Sequence, residues 1–398
     1  MPTLVIHQDK IGDQAAFLAL CPFGALERSG EEISVNAGCK MCGLCVRKGP
    51  KGAAELVEGA ARPLVNKADW RGVLVYADST LTGLEPVTLE MLGKARELAD
   101  VLGEPVYAVL LGVGLEAQCD ELLYHGADQV LWYEQEALRD FRLDLYAEVL
   151  ADAARYKKPG TILVGATAIG RQLAPRVAAK LRTGLTADCT MLQMQPSSDL
   201  VQIRPAFGGN IMAQIVTPNH RPQMATVRPK MMDAPARLAA AAGTVEKREW
   251  SAARFKSGCT VIARQHKPSA ERIEDAPVLV VAGRGIQKQA DLAMLAELAE
   301  LLGGQLACTR PLVECGWMDA RCQVGLSGRT VRPKLLIACG VSGAIQFVAG
   351  MNHSETIIAI NQDETAAIFK TAHYGFVGDV YEMVPELIRQ IKQRGKAQ

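Results

Sequence analysis

The chain has 398 residues, 49% of them hydrophobic, and 44 Lys+Arg balance 43 Asp+Glu to a formal net charge of +1. That length and apolar content suit two or three cored domains rather than a disordered chain, and the balanced charge gives no electrostatic ground for nucleic-acid binding. No stretch approaches the roughly 18 uncharged apolar residues of a spanning helix. The N-terminus lacks the basic-then-apolar pattern of a secretory leader, so a reduced, cytoplasmic chain without a transmembrane segment is expected.

Residues 1–62 are short-paced and glycine-punctuated, with strands expected at Leu4–Ile6 and Glu32–Val35 and a helical turn after each cysteine segment. Cys39, Cys42 and Cys45 form a C-x2-C-x2-C run, and Cys21 stands upstream before Pro22. A bacterial two-cluster ferredoxin carries C-x2-C-x2-C-x3-C-P in each half, and the fourth cysteine of one half ligates the other half's cluster. Here the second half has Gly49 before Pro50 in place of its fourth cysteine, and the first half keeps only its fourth, Cys21. The losses are complementary, so the survivors Cys21, Cys39, Cys42 and Cys45 are the ligand set of one 4Fe–4S cluster in a small α+β ferredoxin-like domain. Zinc is the rival occupant, though its sites more often use two C-x2-C pairs. The other seven of the 11 cysteines are scattered and read as buried apolar residues.

From Arg71 the pattern changes to apolar runs alternating with helical periodicity. Strands are expected at Gly72–Ala77, Val106–Leu111, Gln129–Trp132 and Thr161–Gly165. Helices are expected at Leu89–Leu102, Leu115–Tyr124, Leu143–Tyr156 and Gly170–Leu181, and further strands at Val201–Pro205 and Ile211–Thr217. Residues 233–275 read as a connection between domains. The alternation then resumes with strands Val278–Ala282, Gln305–Cys308, Leu335–Cys339 and Thr356–Asn361. Its helices are Lys288–Leu302, Gly343–Met351 and Gly378–Lys392. Strand–helix alternation indicates α/β architecture, with two Rossmann-like, doubly wound parallel-sheet domains at 66–232 and 276–398. Gly283-Arg284-Gly285 and Gly340-Val341-Ser342-Gly343 follow strands, where ligands bind open α/β sheets.

Several motifs agree in order with one family. Gly340–Met351 continuing to Thr356–Asn361, Gln323–Gly328, His373–Asp379, Gly170–Ala179 and Thr183–Cys189 resemble the signatures of electron-transfer flavoprotein α subunits over about residues 70–398. The resemblance implies FAD in the last domain. Arg284 and Thr309 would touch the cofactor, and Arg310 would stand beside the flavin ring. Val324, Gly325, Leu326 and Ser327 would line the isoalloxazine, with the Ser327 hydroxyl near N5. Ser342, Gly343, Ala344, Ile345 and Gln346 would hold the pyrophosphate at a helix start, and Asn361, Asp379 and Val380 the adenosine half. Phe347 stands where many members carry histidine, so weaker stabilisation of the one-electron-reduced flavin is expected. Asp188 and Arg176, in the first-domain motifs, read as interface-shaping residues.

The same resemblance implies a heterodimer with a β subunit that carries AMP or, in the bifurcating branch, a second FAD accepting hydride from NADH. Further expected partners are an acyl-CoA dehydrogenase-like or other flavin dehydrogenase and ferredoxin or flavodoxin. The cysteine-bearing extension resembles that of α subunits in bifurcating caffeyl-CoA reductase or lactate dehydrogenase complexes. Lys40, Arg47, Lys48 and Lys51 around the cluster loop suit an acidic ferredoxin. Two rival readings are a non-bifurcating carrier to a quinone-linked membrane oxidoreductase, and an FAD-binding subunit whose cluster is purely structural. No nucleophile–base constellation is evident, so no bond-making catalytic site is expected.

Overall fold

The computed structural model describes residues 3–30, 32–36, 38–57, 65–80, 83–206, 211–250, 257–265 and 272–395. The chain forms two compact units, Met1–Val65 and Asn66–Gln398. Parts of the expected connection, residues 251–256 and 266–271, lie outside the described residues.

The first unit is built from β1 (Thr3–Ile6), α1 (Gln14–Leu18), β2 (Leu26–Ser29), β3 (Glu32–Val35), α2 (Leu44–Lys48) and β4 (Ala54–Val57). β1 pairs antiparallel with β4, and β2 with β3. This is the expected small α+β plan, with one correction. A helix follows the start of the Cys39 segment, but α1 precedes Cys21, which sits in a turn closed by Gly24 N–H donating to the Cys21 carbonyl at 3.2 Å. Pro22 has no N–H to extend a helix there.

The second unit opens with β5 (Val73–Tyr76), the small hairpin β6 (Ser79–Thr80) and β7 (Gly83–Leu84), α3 (Pro86–Asp100), β8 (Val106–Leu111), α4 (Glu116–Tyr124) and β9 (Gln129–Tyr133). It continues through α5 (Leu143–Lys157), β10 (Thr161–Gly165), α6 (Gly170–Leu181), β11 (Leu185–Cys189), β12 (Met191–Met194), β13 (Leu200–Ala206), β14 (Ile211–Ile215), β15 (Gln223–Val227) and β16 (Thr244–Lys247). Seven parallel strands run β11-β15-β10-β5-β8-β9-β16, and β12-β13-β14 form a separate antiparallel sheet. β5 and β10 are buried throughout because both faces are covered. One face packs on α3 and α4 through Met91, Leu92 and Leu122, the other on α5 and α6 through Leu150, Leu173 and Val177. α3 illustrates the local logic: Pro86 presets its first turn, and Val87, Met91, Ala95 and Leu98 recur at helical spacing on its buried side. The stretch 233–275 is more than a connection, since β16 within it adds a parallel edge strand beside β9.

The last sheet comprises β17 (Val278–Ala282), α7 (Leu292–Leu301), β18 (Gln305–Cys308), α8 (Arg310–Glu314), β19 (Leu335–Cys339), α9 (Ile345–Val348), β20 (Thr356–Asn361), β21 (Tyr374–Val377) and α10 (Val380–Gly395). Its five strands are parallel in the order β18-β17-β19-β20-β21. α7 and α10 cover one face through Leu295, Leu298, Val384 and Ile388. Phe347, Met351 and Ile368 fill the other. The expected helix Gly343–Met351 is only one turn, Ile345–Val348. The chain order reverses between β17 and β19, so the crevice at their carboxyl ends is where this topology places a ligand.

Candidate functional site

Among the described residues, three places hold candidate functional side chains. In the first unit, Cys21, Cys39, Cys42 and Cys45 all border one pocket, whose wall is otherwise mainly apolar, with Leu4, Phe23, Leu26, Met41 and Leu56. α2 carries Cys45 inward, while Cys42 is exposed. Ala25 N–H donates to Cys21 Sγ at 3.3 Å, and Met41 N–H to Cys39 Sγ at 3.5 Å. Burial pushes the Cys21 thiol up, but the backbone N–H groups of Ala25, Phe23, Leu26 and Gly24 outweigh it and hold the pKa below the ordinary thiol value. Burial raises that of Cys45, and the neighbouring Cys39 and Cys42 add to the rise. Among the described residues no three His, Cys, Asp or Glu side chains are gathered as the ligands of a metal ion; the four sulfurs border a cavity.

Counting the ferredoxin repeat back from Cys21 puts the lost ligands of the second cluster at Ile11, Gln14 and Phe17, with Gly49 as the fourth. Phe17 is 1% exposed and sits in the unit's core. A Cβ on Gly49 would lie 2.3 Å from the Cys45 carbonyl oxygen and 2.9 Å from the Phe17 ring. The space that a second cluster would need is therefore filled by packing. Lys40, Arg47, Lys48 and Lys51 are all exposed, and Arg47 Nη2 donates to the Cys42 carbonyl at 3.1 Å.

In the last sheet, the loops after β17, β18 and β19 border an open cleft. Arg284, Thr309, Arg310, Val324, Gly325, Leu326, Ser327, Ser342, Ala344, Gln346 and Phe347 border it. Pro311, Glu314, Gln323 and Val341 also border it and were not anticipated. Two of these change the chemistry. Glu314, one helical turn after Arg310, accepts from its Nε at 2.8 Å, so the expected cation beside the ring is exposed and ion-paired. Gln323 Nε2 donates to Ser327 Oγ at 2.8 Å, leaving that hydroxyl's proton free for a ligand. The i,i+4 spacing of Arg310 and Glu314 was the available signal.

Gly343, Ile345, Asn361, Asp379 and Val380 are not among the cleft's lining residues. Gly343 serves the backbone: its φ is +82°, and a Cβ there would lie 2.2 Å from Ile368 N. Asn361 Nδ2 donates to the Val341 carbonyl at 2.8 Å, tying β20 to the loop after β19. Asp379 is exposed and accepts from Tyr381 N–H at 2.9 Å at the start of α10. Val380 is 5% exposed and packs in the α7–α10 core, as its apolar side chain and helical phase direct. α9, being one turn, offers little dipole, so anion binding here falls to loop amides.

The third place is an open cleft between the two parallel sheets, lined by Glu85, Glu90, Thr167, Arg171, Arg228, Lys230, Arg272, Glu274, Arg329 and others, and sharing Ser327 with the second cleft. Beside it lies Asp78, 2% exposed, whose Oδ2 accepts from Thr167 Oγ1 at 2.5 Å. Burial drives its pKa up to about 6 against the pull of Thr167, with Glu85 adding to the rise. Asp188 pairs with Arg171 at 3.3 Å and contacts Arg228 at 3.9 Å.

Comparison with known proteins fits this arrangement. Residues 73–253 match the electron transfer flavoprotein domain, and residues 272–352 the electron transfer flavoprotein FAD-binding domain. The chain is 50% identical over 377 residues to "Lactate dehydrogenase (NAD(+),ferredoxin) subunit LctC" of Acetobacterium woodii, covering 95% of this chain and 90% of that protein. It is 47% identical to "Electron transfer flavoprotein subunit alpha" of Clostridium acetobutylicum, covering 82% of this chain and 99% of that one. It is 39% identical to "Acryloyl-CoA reductase electron transfer subunit beta" of Anaerotignum propionicum, over 82% of this chain. The cysteine-bearing N-terminal unit is thus an extension relative to other α subunits. The chain belongs to the electron transfer flavoprotein α-subunit family, with its FAD-binding domain at the carboxyl end.

Proposed function

We propose that this chain is the α subunit of a heterodimeric electron-transfer flavoprotein that carries one 4Fe–4S cluster on Cys21, Cys39, Cys42 and Cys45. It would relay single electrons between an NADH-oxidising flavin of the β subunit, ferredoxin and an acyl-CoA dehydrogenase-like flavoenzyme, by flavin-based bifurcation. The observation that carries this reading is that all four cysteines border one pocket, while Phe17 packs against Gly49, where the second ligand set lacks its fourth cysteine. A mainly apolar cavity bordered by four sulfurs suits a polynuclear cluster better than one tetrahedral ion. The likeness over 95% of the chain to a relative whose name joins NAD(+) and ferredoxin supports it.

Bound FAD supplies hydride and one-electron chemistry, and an iron–sulfur cluster one-electron chemistry alone. The protein's own residues bind and orient. Ala25 N–H and its neighbours favour a thiolate at Cys21. Ser327, its oxygen already accepting from Gln323, has its proton to offer at the ring. Arg284 is exposed at the cleft and suits a phosphate. Asn361 and Asp379 remain our assignment for the adenosine half, each with an acceptor lone pair to spare.

The test is NADH-driven reduction of ferredoxin by the anaerobic heterodimer, followed by stopped flow. Cys42→Ser is expected to abolish ferredoxin reduction while NADH still bleaches flavin. Normal turnover in a folded Cys42→Ser complex would overturn the redox role of the cluster and leave it a structural staple.

A further inference from the structure

Arg228 follows β15 and lines the cleft between the two sheets. Its side chain is only 9% exposed, and Nε and Nη1 are buried without a hydrogen-bond partner. Nη2 donates to the backbone carbonyl of Leu326 at 3.1 Å. Leu326 belongs to the Val324–Ser327 loop of the FAD cleft, so one guanidinium from the first sheet holds a wall of the other sheet's binding site. Its ion-pair contact, Asp188, is 3.9 Å away and is shared with Arg171 at 3.3 Å. Arg204 adds a further positive charge nearby. A buried arginine stays charged, and stranding two of its donors is costly.

The two cations near this loop differ. Arg310 is 65% exposed and neutralised by Glu314, so water and the carboxylate damp its field. Arg228 is enclosed, and a charge in a low-dielectric surround acts more strongly at a given distance. We propose that Arg228 is a positioning residue for the flavin: it fixes the Val324–Ser327 loop through Leu326 and contributes the buried positive field that favours uptake of an electron by the ring. This rests on the reading that FAD occupies the cleft after β17 and β19.

The experiment uses the FAD-loaded heterodimer with Arg228→Gln, Arg228→Lys and Asp188→Asn. Its readouts are flavin content, spectroelectrochemical titration, and hydrogen exchange of residues 323–329 in FAD-free protein. Arg228→Gln is expected to lower the equilibrium constant for the first electron about tenfold, about 59 mV for a one-electron couple, and to speed exchange in the loop several-fold. Arg228→Lys keeps the constant within about threefold because it keeps the charge, and Asp188→Asn raises it because a neutralising carboxylate is gone. If Arg228→Gln loses FAD, the Asp188→Asn titration and the FAD-free exchange decide. A wild-type complex with no flavin would sink the cofactor reading. Wild type with FAD, and variants matching it in both potential and loop exchange, would overturn this inference alone.

Discussion

Among its described residues the N-terminal unit buries eight apolar side chains, three of them alanines. One face of the seven-stranded sheet alone buries Trp132, Met91, Leu122 and more than a dozen others. Below roughly 70–80 residues a core alone rarely supplies more than about 3–5 kcal/mol, so the first unit needs a staple and the second does not. On the proposed reading, a cluster held by Cys21, Cys39, Cys42 and Cys45 is that staple. Thiolate–metal bonds in such units are folding free energy, whereas the parallel sheets are held by burial at about 1.5–3 kcal/mol per large side chain.

The contrast can be broken most sharply by Cys45→Ser, or by stripping iron with a chelator. Hydrogen exchange should show residues 3–57 losing protection while β5, β8 and β17 keep theirs; equal loss in both units would refute separate stabilisation. Next in size is Gly343→Ala. The new Cβ meets Ile368 N at a left-handed backbone position, which should cost about 3 kcal/mol and release FAD, leaving the first unit untouched. Dialysis and absorbance check it.

Asp78→Asn tests the second unit by pH. The native carboxyl keeps its proton up to about pH 6, whereas the unfolded chain releases it near 3.9. The native state therefore binds more protons in that window, and stability falls as pH rises from about 4 to about 6, by about 1.4 kcal/mol per pH unit at most. Urea unfolding across that range should lose this slope in Asp78→Asn; an unchanged slope would assign it elsewhere. The smallest effect is expected from Phe347→His. Phe347 is 5% exposed but borders the cleft, so an added donor should favour the one-electron-reduced flavin by about 0.5–1.5 kcal/mol, read in a redox titration.

How far the sequence carried depends in part on how strands are buried; β15 is buried throughout yet was not anticipated, because Gln223 and Thr226 interrupt its apolar run. β8, β10, β17, β18, β19 and β20 stand at their expected bounds because a strand covered on both faces reads as an uninterrupted apolar run. β21 was missed because Tyr374–Val377 is exposed throughout and exists only through its pairing with β20. β16 was missed for the same reason, as an exposed edge beside β9. At the site, glycine-rich turns marked the strand ends correctly. The pairing of Arg310 with Glu314 was legible in its i,i+4 spacing, whereas the reach of Arg228 to Leu326 was hidden because 98 residues separate the partners. Gly49 was legible as a missing ligand, but Phe17 as the group that fills its space was not, since that contact is made only on folding.

The most direct test of the relay is the cofactor content of the anaerobically isolated heterodimer, by iron, sulfide and flavin analysis. The account predicts one 4Fe–4S equivalent per α chain, abolished by Cys45→Ser, together with an FAD that Gly343→Ala releases. Zinc in the cysteine cavity, or a complex with neither iron–sulfide nor flavin, would contradict it.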